Sequence, residues 1–397
     1  MILTPEEISM LAGDEGHTTQ KAMQILVALG EIYGANRLIP VSSVQVAGVS
    51  YDNLGEAGLQ FLAEMAEGGG KARVLTTLNP AGMDVENWQS LGISPDFAKK
   101  QLEVLEAFAR MGVTTTCTCT PYLTGNLPSA GEHLAWSESS AVCYANSVIG
   151  ARTNREGGPS ALAAALTGRT PEYGLHLPEN RVPGLSILVE ARLCGTCDFG
   201  ALGKVIGDKI AASKAIPYII GVTSASLEEL KSFSASLATF GGAAMFHMAG
   251  ITPEAHLQSL PGDGSKVTQV ELDGASAMLN DAGEDEVDFV SLGCPHLSLA
   301  EIAHLSELLE GQHVTKEFWV TTARSTKQTA ERLGYTWAIE AAGAKFACDT
   351  CCVVAPIQGR FTTLATDSAK ACYYAYAKNK FKTVFLPFDD VVRLAIK

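Results

Sequence analysis

Residues 287–302, with the sequence VDFVSLGCPHLSLAEI, contain the unit that decides the fold. Their first part is apolar and rich in β-branched and aromatic residues, which predicts a buried strand over 287–292. Pro295 interrupts this pattern, and Ser298 is the type of residue that caps a helix. A buried strand, a short turn and a helix in succession are typical of an α/β protein.

Strand-like and helix-like segments alternate along the rest of the chain in the same way. This alternation predicts an α/β fold with mainly parallel sheets. The other predicted strands cover 41–46, 74–78, 185–191, 218–222, 267–272, 318–321 and 383–386.

The amino-terminal region is the best-marked helical segment. Thr4 is expected to cap it, Pro5 suits its first turn, and Gly13 is expected to divide the helical stretch over 8–33. Further helices are predicted over 57–66 and 96–111, and further caps at Ser226 and Ser325. No fixed repeat or low-complexity linker interrupts the 397 residues, so we expect one module of two or three α/β lobes without clear linkers.

Composition excludes several classes of protein. Hydrophobic residues make up 47% of the chain and charged residues 18%, which indicates a globular protein. No apolar run reaches the roughly 20 residues that a membrane span needs. A formal charge of −14 without a basic stripe argues against nucleic-acid binding. The acidic residues Glu6 and Glu7 are untypical of a targeting signal, and the ten scattered cysteines indicate reduced thiols, so a cytoplasmic location is expected.

Three distant cysteines stand beside turn residues: Cys119 in CTPY, Cys294 in GCPH and Cys351 in DTCC. Cys119 follows GVTTTCT, which predicts a strand over 112–118, and Cys351 lies beside the apolar run VVAPI. Ligands of α/β proteins collect beyond the carboxyl ends of strands, so the three thiols could converge there. Thiolates favour zinc or an iron–sulfur cluster, and three ligands would leave one metal position open.

Two other interpretations of the cysteines stay open from spacing alone. Free buried cysteine is common, so all three could be core residues. Two CxxC pairs, Cys194 with Cys197 and Cys348 with Cys351, could instead form a four-thiolate zinc site that stabilises a structural subunit. The CGTC pair alone could also support thiol exchange.

The loop GARTNREGG is dense in polar residues, and its arginines could bind an anionic substrate. A solvated turn with internal ion pairs is the structural alternative. Its candidate residues are Arg152, Asn154, Arg155 and Glu156. Three histidines, His133, His247 and His296, could serve as acid–base or supporting groups, and His296 stands closest to a candidate cysteine.

Longer motifs add a resemblance to a known family. Residues 119–181, together with QVAGVSYDNLGEAG, TTLNPAG, HMAGITPEA, SLGCPHLSL, DTCCVVAPI and ATDSAKACYYAY, resemble the aconitase X family over essentially the whole chain. The resemblance implies an aconitase-like, multi-lobed α/β/α fold and an iron–sulfur enzyme that eliminates water from a hydroxy acid. It implies a [4Fe–4S] cluster with one open iron, bound by Cys119, Cys294 and Cys351.

The resemblance also implies a set of substrate contacts. By motif these fall at Val49, Ser50, Asn79, Pro80, Ser139, Ser140 and Lys370. The polar members offer hydroxyl, amide and ammonium groups for an acid substrate. Structural alternatives remain, because serine and asparagine often organise turns or cap helices and lysine is usually solvated.

Within the family, the chain resembles the large subunit of the split form. We therefore expect a hydro-lyase that needs a separate small subunit carrying the swivelling domain and the catalytic serine base, and that is inactive alone. In archaea the split form implies dehydration of (R)-5-phosphomevalonate to trans-anhydromevalonate 5-phosphate in a modified mevalonate pathway. The alternative substrate is cis-3-hydroxy-L-proline.

Overall fold

The fold is built on three parallel sheets, in a computed structural model that describes residues 1–262 and 264–396. The strands are β1 Leu38–Pro40, β2 Ser43–Val46, β3 Leu75–Leu78, β4 Leu134–Trp136, β5 Arg169–Pro171, β6 Leu185–Val189, β7 Pro217–Ile220, β8 His247–Met248, β9 Gly264–Val267, β10 Phe289–Leu292, β11 Glu317–Thr322, β12 Lys345–Cys348, β13 Thr363–Thr366 and β14 Lys382–Phe385. The sheets have the orders β3-β2-β4, β8-β7-β6-β9 and β12-β11-β10-β13-β14. A small antiparallel pair joins β1 to β5. The prediction of an α/β fold with mainly parallel sheets is confirmed.

Helices cover the faces of these sheets. The α-helices are α1 Pro5–Ala12, α2 His17–Ile32, α3 Tyr51–Glu67, α4 Pro95–Arg110, α5 Ser139–Tyr144, α6 Gly158–Thr167, α7 Gly195–Ile210, α8 Leu227–Gly241, α9 Gln269–Ala277, α10 Leu299–Leu309, α11 Arg324–Arg332, α12 Tyr335–Ala341, α13 Ala369–Tyr374 and α14 Phe388–Ile396. Short 3₁₀ helices lie at Pro121–Leu123, Gly174–His176, Pro178–Arg181, Ala255–Leu257 and Glu284–Glu286, and α5 and α13 continue into π-helical turns at Ala145–Ile149 and Ala375–Asn379. No helix among the described residues is long and apolar enough to cross a bilayer.

The stretch over 287–302 forms the centre of the five-stranded sheet. β10 lies between β11 and β13, and all four of its residues are buried. Gly293 follows at φ 107°, and a Cβ there would stand 2.1 Å from the carbonyl oxygen of Thr321, so only glycine fits this turn. Ser298 caps α10 as expected: its hydroxyl accepts a hydrogen bond from the Glu301 N–H, and the Glu301 carboxylate accepts one from the Ser298 N–H.

The amino-terminal prediction is also confirmed. Thr4 and Glu7 form a reciprocal cap on α1, with Pro5 in its first turn. Gly13 ends that helix in the left-handed conformation at φ 95°, and α2 begins four residues later.

Three local predictions are wrong. A strand is predicted over 267–272, but β9 ends at Val267 because Thr268 and Glu271 form a capping box that starts α9. Ser325 lies inside α11, whose cap position is Ala323. Residues 112–118 form no strand: Thr114 makes a single bridge to Thr77, and Cys117 adopts φ 45°, which an extended strand excludes.

The strand ends of the first and third sheets lie at one cavity. Ala47, Asn79 and Ser137 directly follow β2, β3 and β4 of the first sheet, while Gly293 directly follows β10 of the third sheet. All four residues line the same cavity. The carboxyl ends of the strands in these two sheets therefore face a shared cavity, where α/β proteins usually bind their ligands.

Candidate active site

The shared cavity has a volume of about 670 Å³ and contains all three predicted cysteines on its lining. Cys119 belongs to the loop before the 3₁₀ helix Pro121–Leu123, Cys294 follows β10, and Cys351 lies three residues beyond β12. Cys119 and Cys351 are buried, and Cys294 is partly exposed. Folding thus brings together thiols that are far apart in the chain.

The environment of these thiols keeps them protonated unless a cation joins them. Burial raises the pKa of each of the three, and the neighbouring Glu138 carboxylate raises the pKa of Cys119 further. The Lys370 ammonium acts in the opposite direction on Cys119 and Cys294. A metal centre bound here would supply the positive charge that three buried thiolates need, so the donor set fits a thiolate-bound cluster.

His296 ties the three cysteine loops together. Its Nε2 donates to the carbonyl oxygen of Thr350 at 2.9 Å, which leaves Nδ1 to accept from the Thr118 hydroxyl at 2.9 Å. Its backbone N–H donates to the Cys119 Sγ at 3.2 Å. Burial lowers the pKa of His296 to about 4, so the ring is neutral at pH 7. The histidine holds its neighbours in place and has no free ring nitrogen for proton transfer.

A buried ion pair lies beside the thiols. The Lys370 ammonium donates to Glu138 Oε1 at 2.6 Å and to the Ser140 hydroxyl at 2.7 Å. Burial alone would lower the pKa of Lys370, but the charge of the Glu138 carboxylate raises it on balance, so the ammonium stays charged. Glu138 is also the cap of α5, where its carboxylate accepts from the Ala141 N–H at 2.6 Å.

Sequence reasoning missed Glu138. The open possibility that Ser139 or Ser140 caps α5 is wrong, because both lie inside the helix after this glutamate. Its position two residues after β4 and directly before the helix was a usable signal, since an acid at a cap is favoured by the helix dipole.

The predicted substrate contacts divide into two groups. Asn79, Pro80, Ser139 and Lys370 line the cavity, whereas Val49, Ser50 and Ser140 are buried behind its wall. The Ser50 hydroxyl donates to the carbonyl oxygen of Val354 at 3.2 Å, so in this structure it holds the cavity wall. Asn79 Oδ1 is buried without a hydrogen-bond partner among the described residues, which leaves it free to accept from a ligand.

The polar loop contributes one residue to the cavity, Arg155. Arg152 instead donates to the carbonyl oxygen of His176, Asn154 to that of Tyr173, and Glu156 accepts from Ser160. Asn53 and Lys378 also line the cavity and were missed, because nothing in their local sequence marks them.

The remaining predicted histidines and cysteines lie elsewhere. The His133 ring contacts that of His176 at 3.0 Å between the two Nδ1 atoms, and His247 Nε2 contacts the carbonyl oxygen of Arg181. Cys194 and Cys197 line a separate cavity of about 520 Å³ near α14. Within 1–262 and 264–396 no three His, Cys, Asp or Glu side chains converge on one metal ion, so the four-thiolate zinc site is not formed. An iron–sulfur cluster would be a larger centre, whose cysteine ligands need not converge on a single ion.

Comparison with known proteins identifies the family. Family models described as the first, second and third domains of aconitase X match residues 1–179, 183–278 and 287–397. The chain belongs to the aconitase X family.

Individual relatives agree with this assignment. The phosphomevalonate dehydratase large subunit of Methanothermobacter thermautotrophicus is 47% identical, over 98% of this chain and 97% of that protein. The cis-3-hydroxy-L-proline dehydratase of Hypocrea jecorina is 36% identical over 94% of this chain but only 65% of its own length. The crystal structure of Thermococcus kodakaraensis aconitase X in its holo form superposes with a TM-score of 0.93 at 42% identity, covering all of both chains.

Proposed function

We propose that this chain is the large subunit of a hydro-lyase that dehydrates (R)-5-phosphomevalonate to trans-anhydromevalonate 5-phosphate in a modified mevalonate pathway. The observation that carries the proposal is the cavity in which Cys119, Cys294 and Cys351 meet beside the Glu138–Lys370 ion pair. Similarity to a phosphomevalonate dehydratase large subunit across 97% of that protein's length supports the substrate.

In this proposal the three cysteines bind a [4Fe–4S] cluster with one open iron. Held by these residues, such a centre would supply Lewis-acid chemistry, which suits the loss of a poor leaving group such as hydroxide. The fit rests on the chain's own residues: three thiols at one cavity, their loops joined by His296, and one buried ammonium nearby.

The protein's residues then bind and orient the substrate. Lys370, fixed by Glu138 and Ser140, offers positive charge to the substrate carboxylate, on which negative charge grows as the α proton leaves. Asn79 Oδ1 accepts a hydrogen bond from a substrate hydroxyl, while Pro80 and Ser139 complete the wall. Val49, Ser50 and Ser140 shape this wall from behind.

A general base is still needed to remove the α proton. The neutral His296 is excluded by its two occupied ring nitrogens, and Lys370 is charged. We assign the base to a serine on the swivelling domain of a separate small subunit, which closes over the cavity and forms a heterodimer with this chain. The large subunit alone should therefore be inactive. Cytoplasmic location stays a prediction.

The test is a direct assay of water loss. The chain is purified anaerobically, combined with the small subunit encoded in the same genome, and supplied with (R)-5-phosphomevalonate. Formation of trans-anhydromevalonate 5-phosphate only when both subunits are present supports the proposal. Turnover of cis-3-hydroxy-L-proline instead would assign the alternative substrate, and a colourless, zinc-containing protein without turnover would indicate a structural subunit.

A further inference from the structure

We propose that Arg155 binds the phosphate group of the substrate and so selects a phosphorylated hydroxy acid; this deepens the proposed function and rests on it. The inference rests on a guanidinium on the cavity wall that has no partner among the described residues, whereas the other cations of this wall are already paired.

Three cationic side chains line the cavity. Lys370 donates to Glu138 and Ser140. Lys378 donates to the carbonyl oxygen of Val354 at 2.9 Å and lies 3.7 Å from an Asp52 carboxylate oxygen. Across the part of the chain that the structure describes, the Arg155 guanidinium has no hydrogen-bond or ion-pair partner, so its donors are available to a ligand.

The backbone of Arg155 is held in place although its side chain is free. It bridges to Trp136, the last residue of β4, and the adjacent Glu156 N–H donates to the Trp136 carbonyl oxygen at 2.9 Å. The residue is therefore fixed at the same strand end that carries Ser137 into the cavity. A rigid backbone with an exposed side chain is suited to reaching a ligand without disturbing the fold.

Arg155 belongs to the lining of two cavities. It lines a neighbouring cavity of about 470 Å³ as well, whereas none of the three thiols does. Arg155 thus lies where the two cavities adjoin, whereas Lys370 and the three thiols line the larger of the two only. A substrate with a carboxylate at one end and a phosphate at the other would place its two anions against these two cations.

The chemistry of the two groups agrees. Guanidinium offers planar, paired N–H donors that match the oxygens of a phosphate monoester in a bidentate manner. The chain carries a formal charge of −14, so a substrate with two anionic groups needs local cations to overcome the general repulsion. Hydroxyproline and an unphosphorylated hydroxy acid lack the second anionic group, so neither would engage Lys370 and Arg155 at once.

The experiment compares Arg155→Gln and Arg155→Lys with the wild-type complex of large and small subunits. A matched control is Lys214→Gln, which removes one positive charge from the neighbouring cavity only. We measure kcat and KM with (R)-5-phosphomevalonate, the inhibition constant of (R)-mevalonate, which lacks the phosphate, and the thermal unfolding midpoint of each variant.

In Arg155→Gln we expect KM to rise roughly 10- to 100-fold, because one charge-assisted contact with the substrate is lost. The kcat should change less than about threefold. Inhibition by (R)-mevalonate and the unfolding midpoint should stay as in wild type, because the side chain is exposed and unpaired. Arg155→Lys should fall between, and Lys214→Gln should resemble wild type.

Two results would overturn the inference. The first is an unchanged KM in Arg155→Gln. The second is an equal weakening of (R)-mevalonate binding, which would mean that Arg155 contacts the part of the molecule that the two compounds share. Failure of the proposed function is a separate outcome, seen as no turnover by the wild-type complex. In that case calorimetry with phosphomevalonate and mevalonate decides: an Arg155-dependent preference for the phosphorylated ligand keeps the phosphate site, and its absence rejects it.

Discussion

Removing one charge from the Glu138–Lys370 pair should destabilise the protein strongly, whereas removing both should not. Both side chains are buried, and the ammonium lies 2.6 Å from the carboxylate. Breaking a buried pair leaves an uncompensated charge and costs about 3–5 kcal/mol. Glu138→Gln is the sharpest single variant, because its amide oxygen can still cap α5 through the Ala141 N–H.

The expected shift in melting temperature follows from the size of the chain. At about 2.1 cal/mol/K per residue, 397 residues give an unfolding entropy of about 0.8 kcal/mol/K. A loss of about 3–5 kcal/mol then lowers the unfolding midpoint by about 4–6 °C if the chain unfolds as one unit.

The assay is a double-mutant cycle followed by differential scanning calorimetry. Glu138→Gln and Lys370→Met are measured singly and together, and the double variant should lose clearly less than the sum of the single losses. Additive losses, or single losses below about 1 kcal/mol, would refute the view that these two groups neutralise each other in a buried site.

Two further predictions concern Asp367 and His296. Burial, with Glu301 nearby, raises the pKa of the Asp367 carboxyl to about 6. The stability that this protonated carboxyl contributes is therefore complete below the unfolded pKa near 3.9 and is lost as pH rises through 6. Asp367→Asn should lose less stability than wild type between pH 5 and 7 in thermal unfolding, and parallel stability curves would contradict this. His296→Gln should lower the iron content of the anaerobically purified chain, because the histidine ring joins the loops of Thr118 and Thr350. The control variant His247→Gln, at an equally buried position, should keep its iron. Equal iron content in both variants would reject this role of His296.

Local signals accounted for much of the fold. The apolar run over 287–292 and the cap at Ser298 predicted β10 and α10, because both depend on neighbours within a few residues. The same local reasoning failed at 267–272, where valine and leucine favour a strand but the Thr268–Glu271 capping box starts a helix on the same residues.

The candidate site was less accessible to local reasoning. Motifs drew attention to the cysteines and to Lys370, but Glu138 lies 232 residues from Lys370 in the chain, so their pairing could not be inferred from spacing. The choice between Arg152 and Arg155 also depended on tertiary structure, because the bridge to Trp136 decides which arginine reaches the cavity.

If Cys119, Cys294 and Cys351 together bind an iron–sulfur cluster, the visible absorption spectrum and the iron and sulfide content of the purified chain will report it. The chain should be brown after anaerobic purification, with broad absorption near roughly 400 nm from thiolate-bound iron. Cys294→Ala should lose most of this absorption and iron, whereas Cys143→Ala, a buried cysteine outside the cavity, should retain both. An iron-free wild-type protein after reconstitution, or a Cys294→Ala variant with an unchanged spectrum, would contradict the account.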